Sequence, residues 1–132
     1  MDHTGGCLCG QIRFEIKKIQ RTHLCHCEMC RRATGGPFAV LNWVKTSDLT
    51  WTGPSRPVVR RSSPIGSRSF CAGCGTPIAL VYDRNSRETA IHAGTLDHPE
   101  LATPAYNYHN ESRLPWVKCG EGLPSRQGDE DW

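Results

Sequence analysis

The sequence has no long apolar run. Residues 1 to 20 carry Asp2, Arg13, Glu15, Lys17 and Lys18 with no continuous hydrophobic stretch, which speaks against a secretory leader, and nothing later approaches membrane-spanning length. Helical periodicity is also missing, since no segment keeps apolar residues at i, i+3, i+4 and i+7 over three turns. No Ser-His-Asp ordering and no paired-carboxylate pattern rises above background. No internal repeat or interdomain linker is visible. Hydrophobic residues make up 37% of the 132 residues, enough for one modest core and too few for two. These absences predict one cytoplasmic domain with reduced thiols and no membrane partner. It spans residues 1–132, with a core at about 5–124 and a frayed polar tail at 125–132, where Trp132 alone has a reason to dock.

Against these absences stand 13 glycines, 9 prolines and 8 cysteines. Gly and Pro at nearly every junction make the chain turn-rich, so something besides burial must stabilise it, and the cysteines are the candidate. In a reduced compartment they read as metal ligands rather than disulfides. The formal net charge of +3 assumes neutral thiols. Seven zinc-bound thiolates with two Zn²⁺ would bring the chain to about neutral, so its basic balance gives little support to a nucleic-acid partner.

Gln11 to Ile16 alternates, with Ile12, Phe14 and Ile16 on one face, the period of a half-buried strand. Phe38 to Val44 and Pro77 to Tyr82 read as further strands. Shorter extended pieces are expected at Leu49 to Trp51, Val58 to Arg61, Ser67 to Phe70, Glu88 to His92 and Tyr106 to His109. Helix is confined to a turn or two at Glu28 to Ala33. The fold is expected to be mainly β.

The cysteines form three groups, Cys7-x-Cys9, Cys25-x-Cys27-x-x-Cys30 and Cys71-x-x-Cys74, with Cys119 alone. In an extended segment residues i and i+2 project to one side, so Cys7 with Cys9, and Cys25 with Cys27, can each reach one ion. Cys71-x-x-Cys74-Gly75 is the other common half-site, a tight turn for which Gly73 and Gly75 supply backbone freedom. A redox role for the CxxC lacks the surrounding βαβ pattern. Spacing does not fix the pairing. The simplest division joins the two flanking pairs as a four-thiolate zinc site and leaves Cys25, Cys27 and Cys30 one ligand short. Closed sites are usually structural, whereas three protein ligands admit water or substrate. The middle site can instead be closed by His26, His109 or Cys119, which would make it structural too. Three thiolates weaken zinc as a Lewis acid yet suit capture of a small exogenous thiol that attacks or releases a carbonyl carbon.

Gly5-Gly6-Cys7-Leu8-Cys9-Gly10, Cys25-His26-Cys27-x-x-Cys30-Arg31-Arg32, Arg68-x-Phe70-Cys71-x-x-Cys74-Gly75-Thr76, Ala93-Gly94-Thr95-Leu96-Asp97 and Ser112-Arg113-Leu114-Pro115-Trp116 occur in this order. Together they resemble the glutathione-dependent formaldehyde-activating enzyme family, whose domain is shared with centromere protein V, over about Gly5 to Pro124. The resemblance implies a zinc-clamped β-tent of short antiparallel sheets, with a structural zinc on Cys7, Cys9, Cys71 and Cys74. A second zinc would sit at a reactive site of Cys25, Cys27 and Cys30. It also implies a carbon–sulfur lyase activity that joins formaldehyde to glutathione as S-(hydroxymethyl)glutathione. Asn107, Tyr108, His109 and Asn110 depart from the family pattern, which puts the substrate pocket in question. Glutathione carries two carboxylates, making Arg31, Arg32 and Arg68 the candidate binding residues. Arg60-Arg61 has less reason to contribute. Trp43 and Trp51 read as core, and Asp97 as a cap on backbone amides in the 94–97 turn rather than a base. The alternative function is a non-catalytic zinc module that binds protein or chromatin.

Overall fold

The computed structural model describes residues 2–120 and 122–128, so Trp132 and the end of the tail lie outside the described residues. The mainly β expectation holds. A three-stranded sheet is built from β1 (His3–Gly6), β2 (Arg13–Ile16) and β5 (Leu49–Trp51), in the order β1-β2-β5. A seven-stranded sheet contains β3 (Arg21–Cys25), β4 (Ala39–Lys45), β6 (Val58–Ser63), β7 (Gly66–Phe70), β8 (Pro77–Tyr82), β9 (Glu88–His92) and β10 (Tyr106–Tyr108). Its order is β10-β3-β4-β9-β8-β7-β6. Every pair is antiparallel except β10 with β3, which is parallel and departs from the antiparallel expectation. The α-helix among the described residues, α1 (Glu28–Thr34), carries Cys30 on its buried side and ends at Gly35 in the left-handed conformation, φ 75°.

Alternation along the seven-stranded sheet divides the core in two. Register places Cys25 opposite Ala39, Leu41 opposite His92, Trp43 opposite Ala90, and Leu80 opposite both Ala90 and Arg68. These residues therefore share one face. The intervening Val44, Ile91 and Ala79 point the other way, where they pack with Ile12, Phe14 and Ile16 of the three-stranded sheet and with Cys7 and Cys71. On the first face Cys25 and Cys30 pack with Leu41, Trp43, Leu80, Tyr82, Tyr106 and Tyr108. The flanking and middle cysteine groups thus belong to cores on opposite sides of one sheet.

Two strands escape the sequence reading. β1 contains Gly5-Gly6, which read as a junction. These glycines lie inside the strand because a Cβ at Gly5 would collide with the Thr95 carbonyl and the Phe14 ring. Gly5→Ala should therefore cost about 1–3 kcal/mol by overpacking, seen as a lowered denaturation midpoint at unchanged slope. A midpoint equal to wild type would show that β1 tolerates the side chain. β3 has no alternation because both its faces are covered. Two of its polar residues find partners on the neighbouring strand, the Thr22 hydroxyl donating to Asn42 Oδ1 at 2.7 Å and His23 Nε2 accepting the Trp43 indole N–H at 2.7 Å.

Asp97 departs from its expected role. Its carboxylate takes Arg13 Nη1 at 3.0 Å and the Thr4 hydroxyl at 2.6 Å rather than backbone amides. The Arg13 bond first, then that of Thr4, holds the carboxyl down at about 2. Ser125 and Arg126, placed by composition in the tail, lie beside β10. Asn107 N–H donates to the Pro124 carbonyl, and Arg126 N–H donates to the Asn107 carbonyl, both at 2.8 Å.

Candidate metal centre and reactive cluster

Cys7, Cys9, Cys71 and Cys74 come together with all four sulfurs within 4.8 Å of one another. Each half-site is a turn. The Cys71 carbonyl accepts Gly75 N–H at 2.8 Å and the Cys71 N–H donates to Thr76 at 3.0 Å, with Gly75 at φ 81°. Gly75 takes the left-handed conformation that glycine tolerates best. Gly73 does not, so only one of the two expected glycines supplies that freedom. In the other half-site, Gly10 N–H donates to the Cys7 carbonyl at 3.3 Å and Gly10 has φ 84°. Backbone Ile12 N–H donates to Cys7 Sγ at 3.3 Å, a contact suited to a thiolate.

Cys25, Cys27 and Cys30 form the second cluster, also within 4.8 Å. Cys25 ends β3, and Cys27 sits at the N-cap of α1, where its sulfur accepts the Cys30 N–H at 3.3 Å. The Cys25 thiol donates to Cys27 Sγ at 3.5 Å. Cys27 is held far below the usual thiol range, first by Cys25 and then by Cys30, while Cys25 is pushed far above it, first by its bond to Cys27.

The donor sets fit zinc. Four sulfurs about 2.3 Å from a central ion would be roughly 3.8 Å apart. Cys7 and Cys9 are 3.6 Å apart, Cys9 and Cys71 3.7 Å, and Cys25 and Cys27 3.5 Å. All are far beyond a disulfide bond, and every cysteine is free. Among the described residues the second group stops at three sulfurs. His26 Nε2 instead donates to Asn107 Oδ1 at 2.8 Å, His109 Nδ1 meets Glu111 at 3.0 Å, and Cys119 is exposed.

The three candidate arginines separate. Arg68 reaches the cluster, with Nη2 donating to Cys30 Sγ at 3.5 Å and Nη1 buried without a hydrogen-bond partner. Arg31 turns to the Ser112 carbonyl at 3.5 Å. Arg32 lies on the outer face of α1, paired with Glu28 at 2.9 Å, and lines with Arg68, Met29, Ala33 and Ser62 a cavity of about 300 Å³. Arg61 is spent on Asp83. Trp43 is core as expected, buried at 2% exposure. Trp51 is half-buried, edge-on to Phe14 at 6.0 Å.

Sequence reasoning missed the residues that wall the second cluster. Tyr82, beside it, is held protonated far above its ordinary range by burial first and then by the sulfurs. Tyr108 lies opposite Cys25 across the β10–β3 pair. His92 shares this face, and burial first, then the charge of Arg68, lower it to about 4 from an ordinary 6.5. Between those values the unfolded chain binds a proton that the folded chain refuses, so stability should fall as pH drops from 6.5 to about 4, by roughly 3 kcal/mol. His92→Gln should flatten this slope relative to wild type. Equal slopes over that window would remove His92 as the cause, while thiol protonation is common to both proteins.

A sequence profile described as glutathione-dependent formaldehyde-activating enzyme matches residues 2–112. An uncharacterized lyase of Schizosaccharomyces pombe is 28% identical over 94 residues, covering 70% of this chain and 66% of that protein's length. The fold resembles a crystal structure of a Rhodobacter sphaeroides protein, with TM-score 0.60 and 18% identity over 93% of this chain and 99% of that one. At that identity the likeness speaks for the fold alone.

Proposed function

Because the chain belongs to the glutathione-dependent formaldehyde-activating enzyme family, we propose that it is a carbon–sulfur lyase joining a small aldehyde such as formaldehyde to the thiol of glutathione or a related thiol. The observation that carries this reading is a cluster of three sulfurs, one short of a tetrahedron, beside a buried guanidinium nitrogen with no partner. The lyase name of the Schizosaccharomyces pombe relative supports it.

Cys7, Cys9, Cys71 and Cys74 would hold a structural zinc, and Cys25, Cys27 and Cys30 a second. On the three-thiolate set zinc would supply an electron-rich position that favours a thiolate over an activated water. The chain's own residues do the rest. Arg68 takes a carboxylate of the incoming thiol through Nη1, which fixes the sulfur near the cluster. Leu41, Trp43, Leu80 and Tyr82 keep water from its inner wall. The sulfur lone pair forms the new C–S bond, the carbonyl π pair moves to oxygen, and the proton from the thiol ends on that oxygen. Reversal releases the aldehyde.

The test is sulfur coordination of the zinc-loaded protein, measured by X-ray absorption with and without glutathione, alongside formation of the formaldehyde adduct. One centre should gain a sulfur at millimolar glutathione, with adduct exchange faster than in buffer. Unaltered coordination at that concentration would sink the reading. Arg68→Met should weaken glutathione binding about tenfold or more and leave cysteamine, which has no carboxylate, unaffected. Equal weakening of both thiols would assign Arg68 to the cluster's integrity instead.

A further inference from the structure

The two sheets are of unequal width, and the difference leaves a hollow on the side of the large sheet away from the three-cysteine cluster. One row of residues crosses that side, with Val59 opposite Ser69, Ser69 opposite Ala79 and Ala79 opposite Ile91. The three-stranded sheet covers the Ile91 end, where Ile91 packs with Phe14 and Ile16. β5 is an edge strand of that small sheet, and beyond it Val59, on the edge strand β6, is 65% exposed. Between the covered and open ends lies a cavity of about 360 Å³, lined by Leu49 and Trp51 of β5 and by Val59 and Val81 of the large sheet. The edge-on contact with Phe14 fixes the Trp51 ring.

The floor of this cavity carries polar groups that the fold does not use. Ser67 and Ser69 of β7 lie directly opposite Val81 and Ala79, share their face and line the cavity. Neither hydroxyl has a hydrogen-bond partner among the described residues, although Ser69 is only 8% exposed. A hydroxyl withheld from water without a partner is costly. Thr46 and Thr89, which line the same cavity, show the ordinary solution. Thr89 donates to the Thr46 hydroxyl at 2.9 Å, and Thr46 donates to the Ser86 carbonyl at 3.0 Å. Arg56 completes the lining. Its Nη1 donates to the Gly53 and Ser55 carbonyls at 2.8 and 3.2 Å, which hold the guanidinium in place, and it meets no carboxylate among the described residues.

We propose that this cavity is a second ligand site, distinct from the cysteine cluster, and that it takes a small aromatic carboxylate. A mostly apolar hollow with a few convergent polar groups is the usual form of a small-molecule site. An apolar cavity of about 150 Å³ holds one benzene ring, so one of about 360 Å³ has room for two fused rings. Trp51 offers such a ring a flat apolar partner. The unpaired charge of Arg56 selects an anion, and a carboxylate is the planar acceptor that a guanidinium fits best. Ser67 and Ser69 supply hydrogen bonds to the polar edge of the bound molecule. The site is independent of the lyase reaction, because β7 sends Arg68 to Cys30 on one face and its neighbours Ser67 and Ser69 to the other.

Calorimetric titration of the zinc-loaded protein with indoleacetate, two fused rings and one carboxylate, tests this. One site with a sub-millimolar dissociation constant is expected. Arg56→Met should weaken indoleacetate about tenfold and leave indoleacetamide, which has the same rings and no charge, within about twofold of wild type. Ser67→Leu fills the cavity and should abolish binding of both. Each variant should melt as wild type does, and Arg56→Met, in a loop, still decides the matter if leucine disturbs β7. Cys27→Ser should bind indoleacetate normally, since that cluster lies across the sheet. No binding at millimolar indoleacetate, affinity untouched by either cavity variant, or loss of binding in Cys27→Ser overturns the inference. Equal weakening of acid and amide in Arg56→Met overturns the choice of a carboxylate. A dimer seen in sedimentation that Ser67→Leu dissociates gives this face to a second copy of the chain and overturns it as well.

Discussion

Cys71→Ser is expected to unfold the protein and to abolish zinc retention at the four-sulfur centre. Cys71 is 1% exposed and packs with Phe14, Ile78 and Ile91 between the two sheets. Its sulfur lies 3.7 Å from that of Cys9, which comes from the other end of the clamp. Structural zinc on thiolates contributes about 10–16 kcal/mol of folding free energy, comparable to the whole stability of a domain this size, about 5–15 kcal/mol. Loss of one buried ligand therefore exceeds what the remaining packing can offset. Circular dichroism should show no cooperative melt, and metal analysis should find the centre empty. Cys119→Ser, at an exposed position, is the control and should match wild type. A Cys71→Ser protein that melts cooperatively with its full metal content would remove zinc as the clamp.

Cys27→Ser should have the opposite profile, a folded chain that no longer binds glutathione and whose turnover falls about a thousandfold or more. Cys27 is the N-cap of α1 and accepts the Cys30 N–H through its sulfur. Serine is among the best N-cap residues, so the substitution keeps the helix start and removes only the thiolate. Cys30, 0% exposed on the buried side of the helix, would be a poorer choice because its change disturbs the core as well. Glutathione titration and adduct formation, read beside a melting curve, separate these effects. Retained binding in Cys27→Ser would move the reactive centre elsewhere.

What the sequence made legible follows from how local each signal is. The three cysteine groups could be read because a chelate is a property of two to six neighbouring residues, and the simplest division into four and three is the grouping the folded chain adopts. β2 could be read because buried Phe14 and Ile16 flank exposed Glu15, and β8 because it is a continuous apolar run, Ile78 and Ala79 meeting one core and Leu80 and Tyr82 the other. β3 could not, because its partners Asn42 and Trp43 make Thr22 and His23 acceptable inside. Asp97 was misread for a similar reason. Its chief partner, Arg13, lies 84 residues away in sequence, whereas a turn's own amides are adjacent. The three arginines looked equivalent by proximity to cysteines, but α1 turns Arg32 outward and β7 carries Arg68 inward. His109 could be read from the sequence only as a distant ligand for the middle site, whereas its placement against Glu111 and Tyr108 depends on one left-handed residue that no pattern of apolar spacing encodes.

The placement of the two cysteine groups on opposite sides of one sheet has a consequence for how the protein wears out. Each group can be reached from solvent on its own side, the four-sulfur group through Cys9, which is exposed, and the three-sulfur group through Cys27, which is half-buried. If the first group is the clamp proposed above, a chelator that takes its metal would unfold the chain while the other cluster is still intact, so loss of shape need not wait on loss of activity.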